Sequence, residues 1–189
     1  MLKMNIKTIV QALYYLINSS DKKYDKLSLL KLMFFADRYH MRKYGRSITD
    51  DTYYAMQYGP VASNVKNILD FDFLSEDEKN YIEKYLSKDG KYYGTTNYFE
   101  SLEMLSDTDK EALDFAIENF AHNKTFDLVD MTHNYPEWKK FEKSLEDGLK
   151  REKMNMEDFF LPSLVENDPY SVIPQEVVDM SRDFYMGRF

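Results

Sequence analysis

The chain contains no cysteine, and only six of its 189 residues are glycine and three histidine. Without cysteine there is neither a disulfide framework nor a thiolate metal site, and such a chain suits a reducing cytosol. The glycines stand at 45, 59, 90, 94, 148 and 187. They form neither a G-x-G-x-x-G turn nor a P-loop, which excludes nucleotide binding in those two modes. His40, His122 and His133 show no H-x-x-x-H or similar paired spacing, so no metal site and no cofactor is expected. No stretch approaches the ~18 uncharged apolar residues that a bilayer-crossing helix needs. The Met-Leu-Lys start runs straight into an amphipathic pattern, without the separate regions of a signal peptide. The expectation is a mature cytoplasmic protein with no membrane partner.

The chain is 43% hydrophobic and 31% charged, enough to fold around a real core. Its net charge of −8 is unevenly spread. Residues 1–46 carry ten Lys/Arg against three Asp/Glu, and the acidic excess lies beyond them. Overall acidity argues against general nucleic-acid binding, which needs phosphate neutralisation, and suits a partner with a basic surface. The alternative is that the acidity serves only solubility. Sixteen Tyr, thirteen Phe and one Trp are more aromatics than a core of this size needs. Some are therefore expected at an interface, where rigid amphipathic rings are favoured.

Periodicity predicts a mainly α (α+β) domain built around one buried helix, with a small antiparallel β-hairpin or sheet. Ile6, Ile9, Val10, Leu13, Leu16 and Ile17 mark an amphipathic helix over 5–19. Segment 27–44 is apolar nearly all round and belongs at the centre of the core, with Gly45 as its cap. A turn at 47–51 leads to a short strand over 52–58, broken by Gly59-Pro60, and then to a helix near 61–71. Ser75 and Glu78 have capping-box spacing for a helix near 76–87. Residues 92–94 and 97–103 suggest a hairpin, and Ser106 opens a helix over 107–121. Shorter helical stretches follow over 126–133 and 136–149. Pro162, Pro169 and Pro174 make 160–174 irregular before a last helix over 175–186. The domain is expected over 1–150. Residues 151–189 form a C-terminal extension, either part of that domain or an added partner-binding element, the reading their prolines and carboxylates favour.

Three groupings invite chemistry. Asp37, His40 and Tyr44 share one face of the central helix, which suits either a carboxylate-oriented general base or a polar cluster tying the helix to the following turn. No nucleophile motif lies nearby, and the polar cluster is the reading adopted, so no enzymatic activity is expected. Lys31, Arg38 and Arg42, with Lys22, Lys23, Lys26, Lys43 and Arg46, suit either phosphate contact or a solvated face paired with the acidic remainder; the second is preferred. Tyr53, Tyr54, Tyr92, Tyr93 and Trp138 are the candidate partner-binding aromatics; for the tyrosines that cluster around the strands, burial in the core is the alternative, and for most of them the preferred one.

The run Leu29-Leu30-Lys31-Leu32-Met33-Phe34-Phe35-Ala36-Asp37-Arg38-Tyr39-His40, then Tyr44 to Ala55, then Tyr58-Gly59-Pro60-Val61-Ala62-Ser63, resembles the signature of the Panacea domain, also called SocA-like or GepA-like. The likeness continues more loosely through 105–142. It implies an antitoxin that neutralises a toxin encoded beside it, often in prophages. One member is instead a proteolytic adaptor that delivers its toxin to a ClpXP-type protease, which leaves a ClpX-type unfoldase as an alternative partner. The family has no assigned catalytic residues. The resemblance assigns Asp37, His40, Tyr44, Gly45, Thr49, Tyr58, Gly59 and Pro60 to the scaffold. The chain departs from the pattern at Met56-Gln57, where a basic residue is common.

Overall fold

Helix α2 (Lys26–Tyr44) is the axis of the structure, and every residue from Ser28 to Arg42 is buried. Its start and stop are written locally. Asp25 accepts the Ser28 N–H at 2.8 Å, and Gly45 closes the helix in the left-handed conformation at φ 68°. The computed structural model describes residues 4–72 and 75–188. No helix among the described residues is long and apolar enough to cross a membrane.

The other elements wrap this axis. α1 (Met4–Ile17) packs against α2, α3 (Ser63–Asp70) and α4 (Glu76–Tyr85). α5 (Asp107–Phe120) and α6 (Thr125–His133) pack directly on α2. The short α7 (Pro136–Lys139) and α8 (Glu142–Glu146) follow, and α9 (Gln175–Tyr185) returns to α2. Ser75 with Glu78, and Ser106 with Asp109, form the capping boxes that open α4 and α5.

Two three-stranded antiparallel sheets flank the helices. One has β5 (Tyr92–Thr95) between β1 (Tyr24–Asp25) and β4 (Leu86–Asp89). The other has β2 (Tyr53–Met56) between β3 (Gly59–Ala62) and β6 (Arg151–Lys153). Three local expectations are corrected here. The strand ends at Met56 and turns at Gln57-Tyr58, and Gly59-Pro60 open the returning strand, so Val61 and Ala62 pair with Tyr54 and Tyr53 and the helix starts two residues late. Pro60 fits because β3 is an edge strand, where a missing N–H is tolerated. The α3 cap comes from far back in sequence: Asp51 accepts the N–H groups of Asn64 and Val65. The hairpin joins 86–89 to 92–95 through Gly90 at φ 58°, rather than 92–94 to 97–103.

Residues 151–186 are built into the same core. β6 pairs with β2, and Met154, Phe159, Phe160, Tyr170, Ile173 and Val178 are buried in the shared cluster. Within 160–174 the chain makes a 3₁₀ turn at Pro169–Val172, and the Tyr170 hydroxyl donates to the Phe35 carbonyl at 2.8 Å. Arg42 donates to the carbonyls of Phe159 and Leu161, each at 3.0 Å.

Candidate protein-binding surface

The polar residues of the motif are enclosed. Asp37 lies fully buried on α2 and accepts four hydrogen bonds. Ile48 and Thr49 donate their N–H groups to Oδ1 at 2.7 and 3.2 Å. Thr49 Oγ1 and the Tyr53 hydroxyl donate to Oδ2 at 2.5 and 2.8 Å. Burial pushes this carboxyl up to about 6 against the pull of those donors. The four bonds fasten the 47–53 turn and strand onto α2, as the polar-cluster reading expects.

His40 is equally enclosed. Its Nδ1 lies 2.8 Å from the Arg46 carbonyl, and Nε2 lies 3.0 Å from Thr108 Oγ1 and 3.2 Å from Asp109 Oδ1. A carbonyl only accepts, so Nδ1 carries the proton, and burial, with Arg46 nearby, lowers the histidine pKa. Neither Asp37 nor His40 reaches solvent. Tyr44 donates to Glu111 Oε2 at 2.5 Å, beside the Lys43–Glu111 ion pair, fixing α2 to α5. Burial of the Tyr44 hydroxyl and that bond raise its pKa.

The basic grouping is dispersed rather than joined into one face. Arg38 is fully buried, and its Nε lies 2.7 Å from Glu137 Oε1. Its guanidinium sits 4.1 Å and 4.4 Å from the rings of Tyr135 and Tyr170. Lys31 is also buried, donates to the Pro60 carbonyl at 2.8 Å, and is lowered by desolvation to about 7. Lys43 and Arg46 pair with Glu111 and Asp109. Lys26, Arg38, Lys43 and Arg46 thus pair with acidic residues of the same chain, Arg38 in the interior, whereas Lys22, Lys31 and Arg42 donate to backbone carbonyls.

Three of the five candidate contact aromatics lie in the interior. Tyr53 points inward from β2 to Asp37. Tyr93 donates to the Leu69 carbonyl at 2.5 Å. Trp138 donates from Nε1 to the Met56 carbonyl at 3.0 Å and stacks on His133 at 3.7 Å. Each is both an anchor of the fold and apolar enough to fill it, so none is free to meet a partner. Tyr54 is half-buried under Arg151, and Tyr92 is exposed at the hairpin.

Conversely, of the eight residues assigned to the scaffold, Tyr58 alone is exposed, at 54%. It projects from the β2–β3 turn and meets Phe126 of α6, itself 63% exposed, edge to face at 6.2 Å. Beside them runs a groove of about 610 Å³ between the hairpin, α2 and residues 145–150. Phe126 and Leu149 were not legible as contact residues. Their one signal is that they fall off the stripes, Leu128-Val129-Thr132 and Leu145, that their segments bury. A second apolar patch lies on α9, where Met180 is 69% exposed and neighbours Phe184 and Tyr44.

Together these features define a mainly α scaffold domain whose motif holds the interior while aromatic and aliphatic side chains mark its outside. Residues 29–139 match the family described as antitoxin SocA-like, Panacea domain, and the chain belongs to that family. No curated protein and no solved structure matches it.

Proposed function

We propose that this chain is the antitoxin of a toxin–antitoxin pair and neutralises its toxin by direct protein binding, with no catalytic step of its own. Membership of the antitoxin family supports the role. The observation that carries the mode of action is the division of labour within the motif. Asp37, His40, Thr49, Gly59 and Pro60 are buried in closed contacts, whereas Tyr58 of the same motif stands exposed with the Phe126 ring against it. A rigid surface of that kind acts by covering another protein. Inhibition then follows the bound fraction, and nanomolar affinity, about −12 kcal/mol, is enough.

The test is expression of the neighbouring gene alone and with this one. Growth arrest by the neighbour, relieved on co-expression and accompanied by a purified complex of the two proteins, is the expected result. A harmless neighbour, or toxicity that persists despite co-expression, defeats the reading.

A further inference from the structure

We infer that the toxin docks in the groove beside Tyr58, and that the groove takes a toxin segment bearing large apolar side chains flanked by carboxylates. This rests on the antitoxin reading above. The floor is apolar and drawn from separate elements: Leu30 of α2, Met56 of β2, Val61 of β3 and Leu145 of α8. Tyr58 lines it as an exposed ring, and the exposed Phe126 ring meets Tyr58 edge to face. Rings of this kind supply the anchors on which protein interfaces depend.

The mouth is held in shape before any partner arrives. The hairpin behind Tyr58 is tied by the Trp138-to-Met56 bond and by Lys31 donating to Pro60. Preorganised anchors lose less entropy on binding. Ordinary surface aromatics on flexible turns lack that support.

Charge selects the occupant. Three lysines, Lys26, Lys66 and Lys150, line the groove with a single carboxylate, Glu146. Lys26 and Lys66 share one further carboxylate, Asp70, at 2.5 and 2.9 Å. The rim is therefore net positive on a protein whose total charge is −8. Carboxylates on the incoming segment complement it and fix its register. A nucleic acid would meet the same lysines, but it would leave the leucine floor uncovered and face the acidic remainder of the molecule.

The experiment uses the full chain and the toxin from the neighbouring gene. Tyr58→Ala with Phe126→Ala should weaken binding about 30-fold or more and abolish growth rescue, with the near-UV spectrum and melting profile of the parent. Lys150→Glu, on an exposed residue that leaves the fold alone, should slow association and reduce its salt dependence. Met180→Asp, on the α9 patch, should bind like the parent. Overlapping peptides of the toxin, titrated into the unaltered protein, should include one that competes with the toxin. Exchanging that peptide's carboxylates for amides should weaken it about tenfold. Parent-like binding by the groove variants, with loss in Met180→Asp, overturns the choice of face. Indifference to carboxylate exchange, or displacement of the peptide by duplex DNA of random sequence, overturns the choice of occupant. A parent protein that neither binds nor rescues defeats the antitoxin reading instead, which keeps the two failures distinct.

Discussion

Gly59 shows how one backbone position can depend on its neighbours. It holds φ 91°, a conformation that side chains rarely adopt, and an added Cβ would lie 2.8 Å from Lys31 Nζ and closer still to Thr132 Oγ1. Gly59→Ala should cost about 2 kcal/mol or more from strain and crowding, read as a lower midpoint in chemical denaturation. Gly45 carries a similar double demand, φ 68° with the Ser181 carbonyl 2.6 Å from an added Cβ. The helix stop at Gly45 was legible in the sequence. That α9 would press against it was not, because contact across 136 positions leaves no local pattern. Asp37 yields a pH prediction. Its carboxyl is raised from 3.8 to about 6 in the fold, so the folded protein holds this proton where the unfolded chain has lost it. The group's contribution is fully present below about 3.8 and is lost as pH rises through about 6, an effect on the order of 3 kcal/mol. The stability gap between the parent and Asp37→Asn should therefore be larger at pH 5 than at pH 7. A gap that grows with pH would show that the four donors, not burial, govern this carboxyl.

Between elements, the buried Arg38–Glu137 pair joins α2 to α7, and neither side chain reaches solvent. A buried charge left alone is expensive, while the intact pair contributes little over a well-packed apolar substitute. Glu137→Leu alone should cost about 3–5 kcal/mol, and adding Arg38→Met should recover most of it. Equal losses in the single and double variants, measured by denaturation, would show that Arg38 finds other support there, such as the flanking Tyr135 and Tyr170 rings. This pair also marks where sequence reading stopped at the level of elements. The positions of α1, α2, α4, α5 and α9 were legible from apolar spacing and capping residues, because those signals act within a few residues. A cation on a nearly all-apolar helix reads as a solvent-facing interruption unless its carboxylate partner, 99 residues away, is known. Likewise the sequence leaves Tyr53, Tyr93 and Trp138 between contact and core. An aromatic with a polar end suits an interface and a hydrogen-bonded interior equally well. Their carbonyl and carboxylate partners decide between the two.

At the scale of the molecule, cations of the basic first quarter of the chain find carboxylates of the acidic remainder on folding. Cations of α2 and its flanks pair with Asp70, Asp109, Glu111 and Glu137. The exposed pairs among these contribute little singly. The interior they surround is closed by the C-terminal stretch, which lies outside the matched residues 29–139. Met154, Phe159, Phe160, Tyr170, Ile173 and Val178 all enter the common core, and Tyr170 supplies one of the two rings over Arg38. Burying six such side chains stabilises by about 1.5–3 kcal/mol each as an upper estimate, which together rivals the 5–15 kcal/mol that typically separates folded from unfolded chains. Their removal would also take Phe159 from the Phe34 ring, the Tyr170 donor from the Phe35 carbonyl and the Tyr170 face from the Arg38 guanidinium. A chain ending at Lys150 should therefore lose its cooperative thermal transition and its near-UV signal, and with them any rescue of a toxin. If that shortened chain melts cooperatively near the parent temperature, residues 151–189 are an accessory to a self-sufficient domain. Loss of the transition makes them part of the framework that holds Tyr58 and Phe126 in place.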